Sequence, residues 1–193
     1  MAYVASDWND TNMTTKAMHR RTPVEDARRV SYRSPRQSDA VSIHALVKAS
    51  PPLDANSTYA YLLVCTHFAD TSLVADTEDG IAGFVSAYLE PANPTVLFVW
   101  QVAVSSRVRG QGVGLGMLRW LLDREACCHV CYLETTITQS NEASMRMFRR
   151  LAGSLHVPHN VRPRFSCEDL GGSHEEEHLV RIGPLSPRVG GGA

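Results

Sequence analysis

The chain lacks three features that would assign it to a broad class at once. It has no excess of either charge, with 19 Lys and Arg against 20 Asp and Glu, so its composition does not indicate binding to nucleic acid. Its longest nearly unbroken apolar run, 96–104, is far shorter than the roughly 20 residues that a membrane-spanning helix needs. Its first 20 residues contain no apolar segment of the kind found in secretory signals.

A disulfide framework is also poorly supported by the sequence. The chain has five cysteines, an odd number, and three of them lie close together at Cys127, Cys128 and Cys131. Free thiols in a reducing compartment are the simplest interpretation. The sequence therefore predicts a cytoplasmic protein.

The length and hydrophobic content predict one globular domain with extensions at both ends. The chain has 193 residues, of which 44% are hydrophobic. Residues 1–29 are polar and show no helical or strand period, which predicts a disordered arm. Residues 30–184 are expected to form the single domain, and the glycine-rich segment 185–193 is expected to be a flexible tail.

Between the ends, strand and helix patterns alternate, which predicts an α+β domain with α/β-type layers around one mixed sheet. Strands are predicted at 30–34, 72–76, 81–90, 95–105, 130–136, 162–167 and 178–182. Helices are predicted at 40–47, where Ser38 or Asp39 is a candidate cap, at 57–68, at 115–122 and from 141 to an end at Gly153. Segment 95–105 is apolar on both faces and is expected to be central. In the helix at 57–68, Tyr59, Leu62, Leu63 and Phe68 recur at helical offsets, and Tyr61 is expected to be structural.

A glycine-rich turn between a buried strand and a helix is the most informative stretch. Val104 ends the strand pattern, and Arg109-Gly110-Gln111-Gly112-Val113-Gly114 then opens the helix. Glycines let the backbone approach a ligand closely, and N–H groups at a helix start attract anions such as a pyrophosphate. The turn has neither the Lys-Ser/Thr of a phosphate-binding loop nor the G-x-G-x-x-G of a dinucleotide fold. By itself it predicts an anion site, with a plain packing turn as the alternative.

The next strand and helix make this pattern more specific. They contain Leu133-Glu134-Thr135-Thr136 and Ser140-Asn141-Glu142-Ala143-Ser144, and together with the glycine turn they resemble the GNAT superfamily of acetyltransferases. The resemblance implies a central mixed, mostly antiparallel sheet flanked by helices, in which a splayed strand pair holds acetyl-CoA. The cofactor-binding residues that it implies are Gln101, Val102, Val104, Arg109, Gly110, Gln111, Gly112, Gly114, Asn141 and Ser144.

Three blocks resemble a narrower family, the L-2,4-diaminobutyrate acetyltransferases. They are 51–70, which begins Pro-Pro-Leu-Asp-Ala-Asn-Ser-Thr-Tyr, 98–104 and 133–144, within a resemblance that covers about 30–184. It implies transfer of acetyl from acetyl-CoA to the γ-amine of L-2,4-diaminobutyrate in the ectoine pathway, by direct attack in a ternary complex. It also implies a homodimer and a reaction that needs no metal, and the charge balance and the short apolar run predict no nucleic-acid or membrane partner. The substrate-binding residues that it implies are Asp54, Asn56, Ser57, Tyr59, Trp100, Glu134 and His174.

The reaction needs a base, because free alkyl amines are protonated at neutral pH, and a group that protonates the leaving thiolate. Two groups used by many GNAT enzymes are missing: strand 96–104 has no carboxylate, and Phe148 stands where a general-acid tyrosine is usual. We therefore predict Glu134 as the base, with ammonium binding or helix capping as the alternative. Tyr59 is predicted to supply the acid or orient the substrate, with a packed aromatic as the alternative.

The other predicted substrate residues also have structural alternatives. Asp54 is expected to hold an ammonium of the diamine or to cap the following helix, a role that Asn56 or Ser57 can take instead. Trp100 is expected beside the thioester or else in the core. His174 is expected to reach the substrate carboxylate or to belong to a solvated charge run.

Two motifs have the letters of metal sites without the context. His174-Glu175-Glu176-Glu177-His178 matches H-E-x-x-H, but glycines precede it and a strand pattern follows, so we predict a loop rather than a zinc-binding helix. Cys128-His129-Val130-Cys131 resembles half of a zinc site, and no second pair has the required spacing. We therefore predict no metal.

Two other functions remain open from the sequence. One is a GNAT acetyltransferase for another small diamine or amino acid. The other is a CoA-binding module without catalysis, which the missing strand carboxylate and Phe148 suggest.

Overall fold

The computed structural model describes residues 30–172 and 174–186. The predicted arm at 1–29 and residues 187–193 of the predicted tail lie outside the described residues. The described residues form seven strands, numbered β1 (Ser31–Arg33), β2 (Leu73–Thr77), β3 (Gly80–Glu90), β4 (Asn93–Val104), β5 (Tyr132–Thr138), β6 (His159–Phe165) and β7 (Glu177–Ile182). They also form four α-helices, numbered α1 (Ala40–Lys48), α2 (Thr58–His67), α3 (Val113–Leu122) and α4 (Glu142–Leu155). No helix in this part of the chain is long and apolar enough to span a membrane.

The strands form one mixed sheet in the order β1-β2-β3-β4-β5-β7-β6. All neighbouring strands are antiparallel except β4 and β5, which run parallel at the centre of the sheet. The β4–β5 pairing extends only from Val96–Tyr132 to Phe98–Glu134, although both strands continue beyond it. The two strands therefore separate, which is the predicted splay. The predicted α+β layers and the central position of β4 are confirmed.

A bulge at Trp100 changes the direction of the β4 side chains just beyond the splay point. On β3, Ser86 pairs with Gln101 and the next residue pairs with Val99, so Trp100 is an extra residue on β4. A bulge bends a strand and re-aims the side chains that follow it. Val99 accordingly packs in the core beside α3, whereas Gln101 contacts α2 on the opposite face of the sheet.

Two apolar cores hold the helices on the sheet, because each helix buries one face against it. Helices α3 and α4 cover one face with Met117, Leu118, Leu121, Phe148 and Leu151. Helices α1 and α2 cover the other face with Ile43, Val47, Tyr61 and Val64, which pack on Phe84 of β3. Strand β6, at the edge of the sheet, is exposed along nearly all of its length.

Helix α2 buries a different face from the one that its apolar spacing suggested. The residues at helical offsets, Tyr59, Leu62, Leu63 and Phe68, are exposed or only half-buried. The buried side chains are instead Tyr61, Val64 and Cys65. Apolar residues occur on all sides of α2, so spacing alone cannot select the buried face. Tyr61 packs edge-on against Phe84, with 5.9 Å between ring centroids, which confirms its expected structural position.

Two helix ends also differ from expectation. Helix α4 continues past Gly153 to Leu155, because His156 adopts the left-handed conformation and ends the helix there with φ of 57°. Asp39 occupies the residue before α1, but its carboxylate does not cap the helix and instead pairs with Arg33.

Candidate active site

A groove of about 490 Å³ lies where β4 meets the first turns of α3 and α4. Residues 50–53, which follow α1, form its opposite wall. Eight of the ten residues predicted to bind the cofactor line it: Val102, Val104, Arg109, Gly110, Gly112, Gly114, Asn141 and Ser144. Gln101 and Gln111 do not line it. The glycine turn and the splayed strand therefore contribute to one site.

The start of α3 is arranged as an anion site. Gly112 precedes the helix in the left-handed conformation with φ of 81°, and no side chain caps the helix there. The N–H groups of the first turn have no partner within the helix, and they carry the positive end of its dipole. Because Gly112 and Gly114 line the groove, these N–H groups are accessible to an anion bound in it.

Three arginines line the groove, Arg109, Arg146 and Arg150, and Arg146 is paired with Glu142, its Nη1 lying 2.7 Å from the Glu142 Oε2. The Arg109 Nε donates a hydrogen bond to the Val104 carbonyl, 2.9 Å away, which holds this side chain beside the end of β4. Sequence reasoning missed Arg146 and Arg150. Their spacing of four residues places both on one face of α4, the helix that Asn141 begins, and this spacing was the available signal.

Packing also constrains the glycine turn. A Cβ at Gly114 would lie 2.7 Å from the Met147 Sδ, so a larger residue at this position requires the flexible Met147 side chain to move. Asn141 fixes the start of α4, because its Oδ1 accepts a hydrogen bond from the Ser144 N–H at 3.1 Å. Asn141 and Ser144, which are both predicted to contact the cofactor, therefore also shape the groove through the hydrogen bond between them.

Predicted substrate residues cluster on the segment between α1 and α2. The Asp54 carboxylate is 87% exposed, and its Oδ2 lies 3.9 Å from the His174 Nδ1, so two residues distant in sequence come together. The Asp54 carbonyl accepts a hydrogen bond from the Gln101 Nε2 at 2.9 Å. Ser57 caps α2 by accepting from the Ala60 N–H at 3.2 Å, which confirms the capping alternative for this residue.

The two predicted aromatic residues are both accessible. Tyr59 lies in the first turn of α2 and is 68% exposed, so it is not a packed core aromatic. Trp100, the bulged residue of β4, is 48% exposed, so it does not belong to the core either. Their predicted roles in substrate binding stay predictions.

Glu134 lies on β5 at the point where β4 and β5 separate. It is 7% exposed and pairs in register with Arg181 of β7. The Arg181 Nε lies 3.0 Å from the Glu134 Oε1, and its guanidinium carbon lies 4.0 Å from the centre of the Tyr132 ring. The helix-capping alternative for Glu134 is wrong, because the residue lies within a strand. Sequence reasoning missed Arg181, since its pairing with Glu134 follows from the strand register.

Phe148 lies in the core, and the two motifs that resemble metal sites do not have the geometry of one. Phe148 is 2% exposed within the core, away from the groove. His174 lies in a bend and His178 in β7, so the H-E-x-x-H letters do not form a helix. Within residues 30–172 and 174–186, no three His, Cys, Asp or Glu side chains are grouped so that they could hold a metal ion.

Comparison with known proteins agrees with this geometry. Residues 40–153 match the acetyltransferase (GNAT) family, and the chain belongs to that family. The fold and the groove at the start of α3 are those expected of such an enzyme.

The similarity extends to a narrower group. The L-2,4-diaminobutyric acid acetyltransferase of Bordetella parapertussis is 51% identical over 162 residues, which cover 83% of this chain and 87% of that protein. The enzyme of the same name from Chromohalobacter salexigens is 49% identical over 157 residues, with 81% and 82% coverage. The solved structure of the diaminobutyrate acetyltransferase EctA from Paenibacillus lautus, in complex with L-2,4-diaminobutyric acid and coenzyme A, has a TM-score of 0.80 and 40% identity. It aligns with 84% of this chain and 99% of that chain. These similarities confirm the resemblance drawn from the sequence.

Proposed function

We propose that this chain transfers the acetyl group of acetyl-CoA to the γ-amine of L-2,4-diaminobutyrate, the product being the precursor of ectoine. The observation that carries the proposal is the groove, in which an uncapped glycine-flanked helix start meets β4 beyond the point where this strand separates from β5. Glu134 lies on β5 at the last paired position and does not line the groove. The names of the relatives, and the diaminobutyric acid and coenzyme A bound by the Paenibacillus lautus enzyme, support this substrate pair.

The groove fits acetyl-CoA by its chemistry. The free N–H groups at the start of α3 suit the pyrophosphate, and Arg109, Arg146 and Arg150 supply further positive charge for the phosphates. Val102 and Val104 follow the end of β4–β5 pairing. Apart from the Val104 carbonyl, which accepts from Arg109, the backbone groups of β4 that face β5 there are available to the pantetheine amides. This arrangement directs the thioester towards the splay point, where Glu134 lies.

The amine substrate enters as an ammonium, and charge selects its position. Asp54 is exposed and carries the charge needed to bind an ammonium, while His174 beside it is suited to the substrate carboxylate. Glu134 accepts one proton from the γ-ammonium, and the neutral nitrogen then attacks the thioester carbon. A C–N bond forms and the C–S bond breaks. Tyr59 is the proposed donor of the proton that the leaving thiolate takes up, and the second nitrogen proton restores the Tyr59 hydroxyl. The products are the amide, free CoA and one released proton.

A panel of amines tests this function. Purified protein is mixed with acetyl-CoA and L-2,4-diaminobutyrate, ornithine, lysine or a polyamine, and free CoA thiol and product structure are measured. Release of CoA with diaminobutyrate alone, with acetyl on the γ-nitrogen, is the expected result. Equal rates with polyamines would support the broader acetyltransferase alternative. Binding of CoA without release from any amine would support the non-catalytic module.

We also propose that the chain forms a homodimer. Strand β6 ends the sheet and is exposed along nearly all of its length, including Val161 and Phe165. An exposed edge strand with apolar side chains is a suitable surface for a second copy. Light scattering after gel filtration measures the mass. A monomer at micromolar concentration would contradict the proposal, and Val161→Lys is expected to weaken a dimer that uses this edge.

We propose a cytoplasmic location because the cysteines are free thiols. All five cysteines are described and are free, including Cys128 and Cys131, which lie three residues apart. Free thiols are stable in a reducing compartment. Cell fractionation with an antibody against the chain measures the location, and recovery in the membrane or secreted fraction would contradict the proposal.

A further inference from the structure

The segment that carries Asp54 and Asn56 is bonded to the rest of the fold by two side chains that do not enter the groove. The Asn56 N–H donates to the Tyr61 hydroxyl oxygen at 3.2 Å. The Tyr61 hydroxyl donates to the Gln101 Oε1 at 3.2 Å, and the Gln101 Nε2 donates to the Asp54 carbonyl at 2.9 Å. The three hydrogen bonds therefore run from Asn56 through Tyr61 and Gln101 back to Asp54 on the same segment.

Both central residues of this network are fixed by the fold. Tyr61 is 1% exposed and its ring packs on Phe84, while Gln101 follows the bulged residue of β4. The bulge turns the Gln101 side chain towards α2, because in a strand that alternated regularly residues 99 and 101 would share the face towards α3. The network therefore joins the Asp54 segment to β4 at the place where that strand begins to line the groove.

The bonds to this segment involve backbone atoms and leave its functional side chains free. Gln101 bonds the Asp54 carbonyl and Tyr61 bonds the Asn56 N–H, whereas the Asp54 carboxylate remains 87% exposed. Such an arrangement fixes a backbone while its side chains remain available to a ligand.

We propose that Tyr61 and Gln101 are positioning residues that hold the Asp54–Asn56 backbone against β4 and so set the distance between the amine and the thioester. The proposal rests on the proposed function in one respect, namely that Asp54 and Asn56 bind the amine. Neither Tyr61 nor Gln101 touches the substrate in this scheme. A precise position matters because small displacements of a bound reactant greatly reduce the rate of its reaction.

Tyr61→Phe and Gln101→Leu each remove part of the network. A buried polar group left without its partner is costly, so we expect each change to loosen the segment. The KM for diaminobutyrate is expected to rise about tenfold, which corresponds to one lost hydrogen bond of the stronger kind. The KM for acetyl-CoA is expected to change less than about twofold, because the start of α3 is untouched. The double variant is expected to be about as impaired as the worse single variant, since both changes break one network.

Thr71→Val is the matched control. Thr71 is buried, and its hydroxyl donates to the Ala87 carbonyl at 2.7 Å, a bond of similar kind that does not involve the Asp54 segment. We expect it to lower the melting temperature about as much as Tyr61→Phe and to leave the amine KM unchanged. An equal rise of the amine KM in this control would overturn the proposal, because general destabilisation would then explain the effect.

Hydrogen exchange measured by mass spectrometry provides a readout that does not need turnover. The Asn56 amide is expected to exchange at least about tenfold faster in Tyr61→Phe than in the unchanged chain, and at an unchanged rate in Thr71→Val. Unchanged exchange in Tyr61→Phe overturns the anchoring. Faster exchange with an unchanged amine KM overturns the positioning role.

This design separates the inference from the proposed function. If the unchanged chain acetylates no amine, the proposed function fails, and with it the role of the network in placing an amine. The exchange rates still decide whether Tyr61 and Gln101 anchor the segment, because they are measured without substrate.

Discussion

The ion pair between Glu134 and Arg181 determines what the best-placed carboxylate can do. Glu134 is almost fully buried, and a buried charge is costly unless it is paired. Arg181 supplies the opposite charge at 3.0 Å and is itself held over the Tyr132 ring. The Arg181 side chain is 37% exposed, whereas the Glu134 side chain is 9% exposed. Glu134 is thus held in one position before the substrate arrives.

Glu134→Gln tests the proposed base. Glutamine keeps the size of the side chain and cannot accept the amine proton, so we expect kcat to fall by about 10² to 10⁴. The Kd of acetyl-CoA, measured by calorimetry, is expected to change less than about threefold because the groove contacts are unchanged. A fall of kcat smaller than about fivefold would assign Glu134 to ammonium binding instead.

The cysteines are expected to differ greatly in reactivity. Burial raises the pKa of the Cys65 and Cys127 thiols to about 11, whereas Cys167 is exposed. Because the thiolate is the reactive form, Cys65 and Cys127 should react with a maleimide only after unfolding, and Cys167 should react in the native protein. Peptide mapping by mass spectrometry measures the order in which the cysteines are labelled. Rapid labelling of Cys127 in the native chain would contradict its buried position.

Helix α3 combines two requirements at its first turn. The N–H groups must face the groove, and the helix must pack tightly against α4. Gly112 meets the first requirement through its left-handed backbone, and Gly114 meets the second because Met147 occupies the space of a side chain. The glycines of this turn therefore serve both the ligand and the packing of the two helices.

Gly114→Ala should disturb both features. The added methyl group would meet the Met147 Sδ at 2.7 Å, so the Met147 side chain must turn away, at a cost of up to about 1.5 kcal/mol of unfolding free energy. We also expect a rise of severalfold in the KM for acetyl-CoA, because the displaced Met147 side chain lines the groove.

Gly153→Ala is the matched control for that change. It lies within α4, and nothing is found within 4 Å of the added Cβ. Alanine is a better helix former than glycine, so we expect a gain of up to about 1 kcal/mol with an unchanged KM for acetyl-CoA. Urea unfolding measures both variants. Equal stability of Gly114→Ala and the unchanged chain would contradict the expected cost of moving Met147.

At the edge of the sheet, one charged cluster links the first strand to the rest of the molecule. Arg33 of β1 bonds Asp39, before α1, and Asp76 of β2. Burial by itself raises the pKa of Asp39, but hydrogen bonds from Arg33 and from the Arg36 N–H outweigh it, so the pKa is lowered overall. The lowered pKa means that the charged carboxylate stabilises the folded state.

Asp39→Asn should therefore show a pH-dependent loss of stability. An aspartate in the unfolded chain has a pKa of about 4. Above that pH the charged Asp39 carboxylate stabilises the folded chain, so the variant should melt at a lower temperature than the unchanged chain. As the pH falls below 4 through the lowered folded pKa, the unchanged chain loses this contribution and the two melting temperatures should converge. Thermal unfolding of both proteins between about pH 2.5 and 7 measures the difference between their melting temperatures. A constant difference over that range would exclude Asp39 ionisation as the cause.

Much of the architecture follows from local patterns. The hairpin of β2 and β3, the central strand β4 and the helix after the glycine turn all follow from hydrophobic period and turn residues, because these depend on neighbours in sequence. The groove was also predictable, since its anion site is built by one continuous stretch from Val104 to Gly114. The end of α4 at Leu155 was not, because Gly153 fits within a helix and the left-handed His156 ends it.

The sequence by itself determined the α+β class and the family resemblance and predicted an anion site at the glycine turn, because each depends on contiguous residues. Only the tertiary structure decided which face of α2 is buried, which partner Glu134 has and where Gln101 points. These depend on the register of β5 with β7 and on the bulge at Trp100, which changes the face of every later residue on β4. Pairing and burial join residues distant in the chain, and their relative positions are set when the whole core closes.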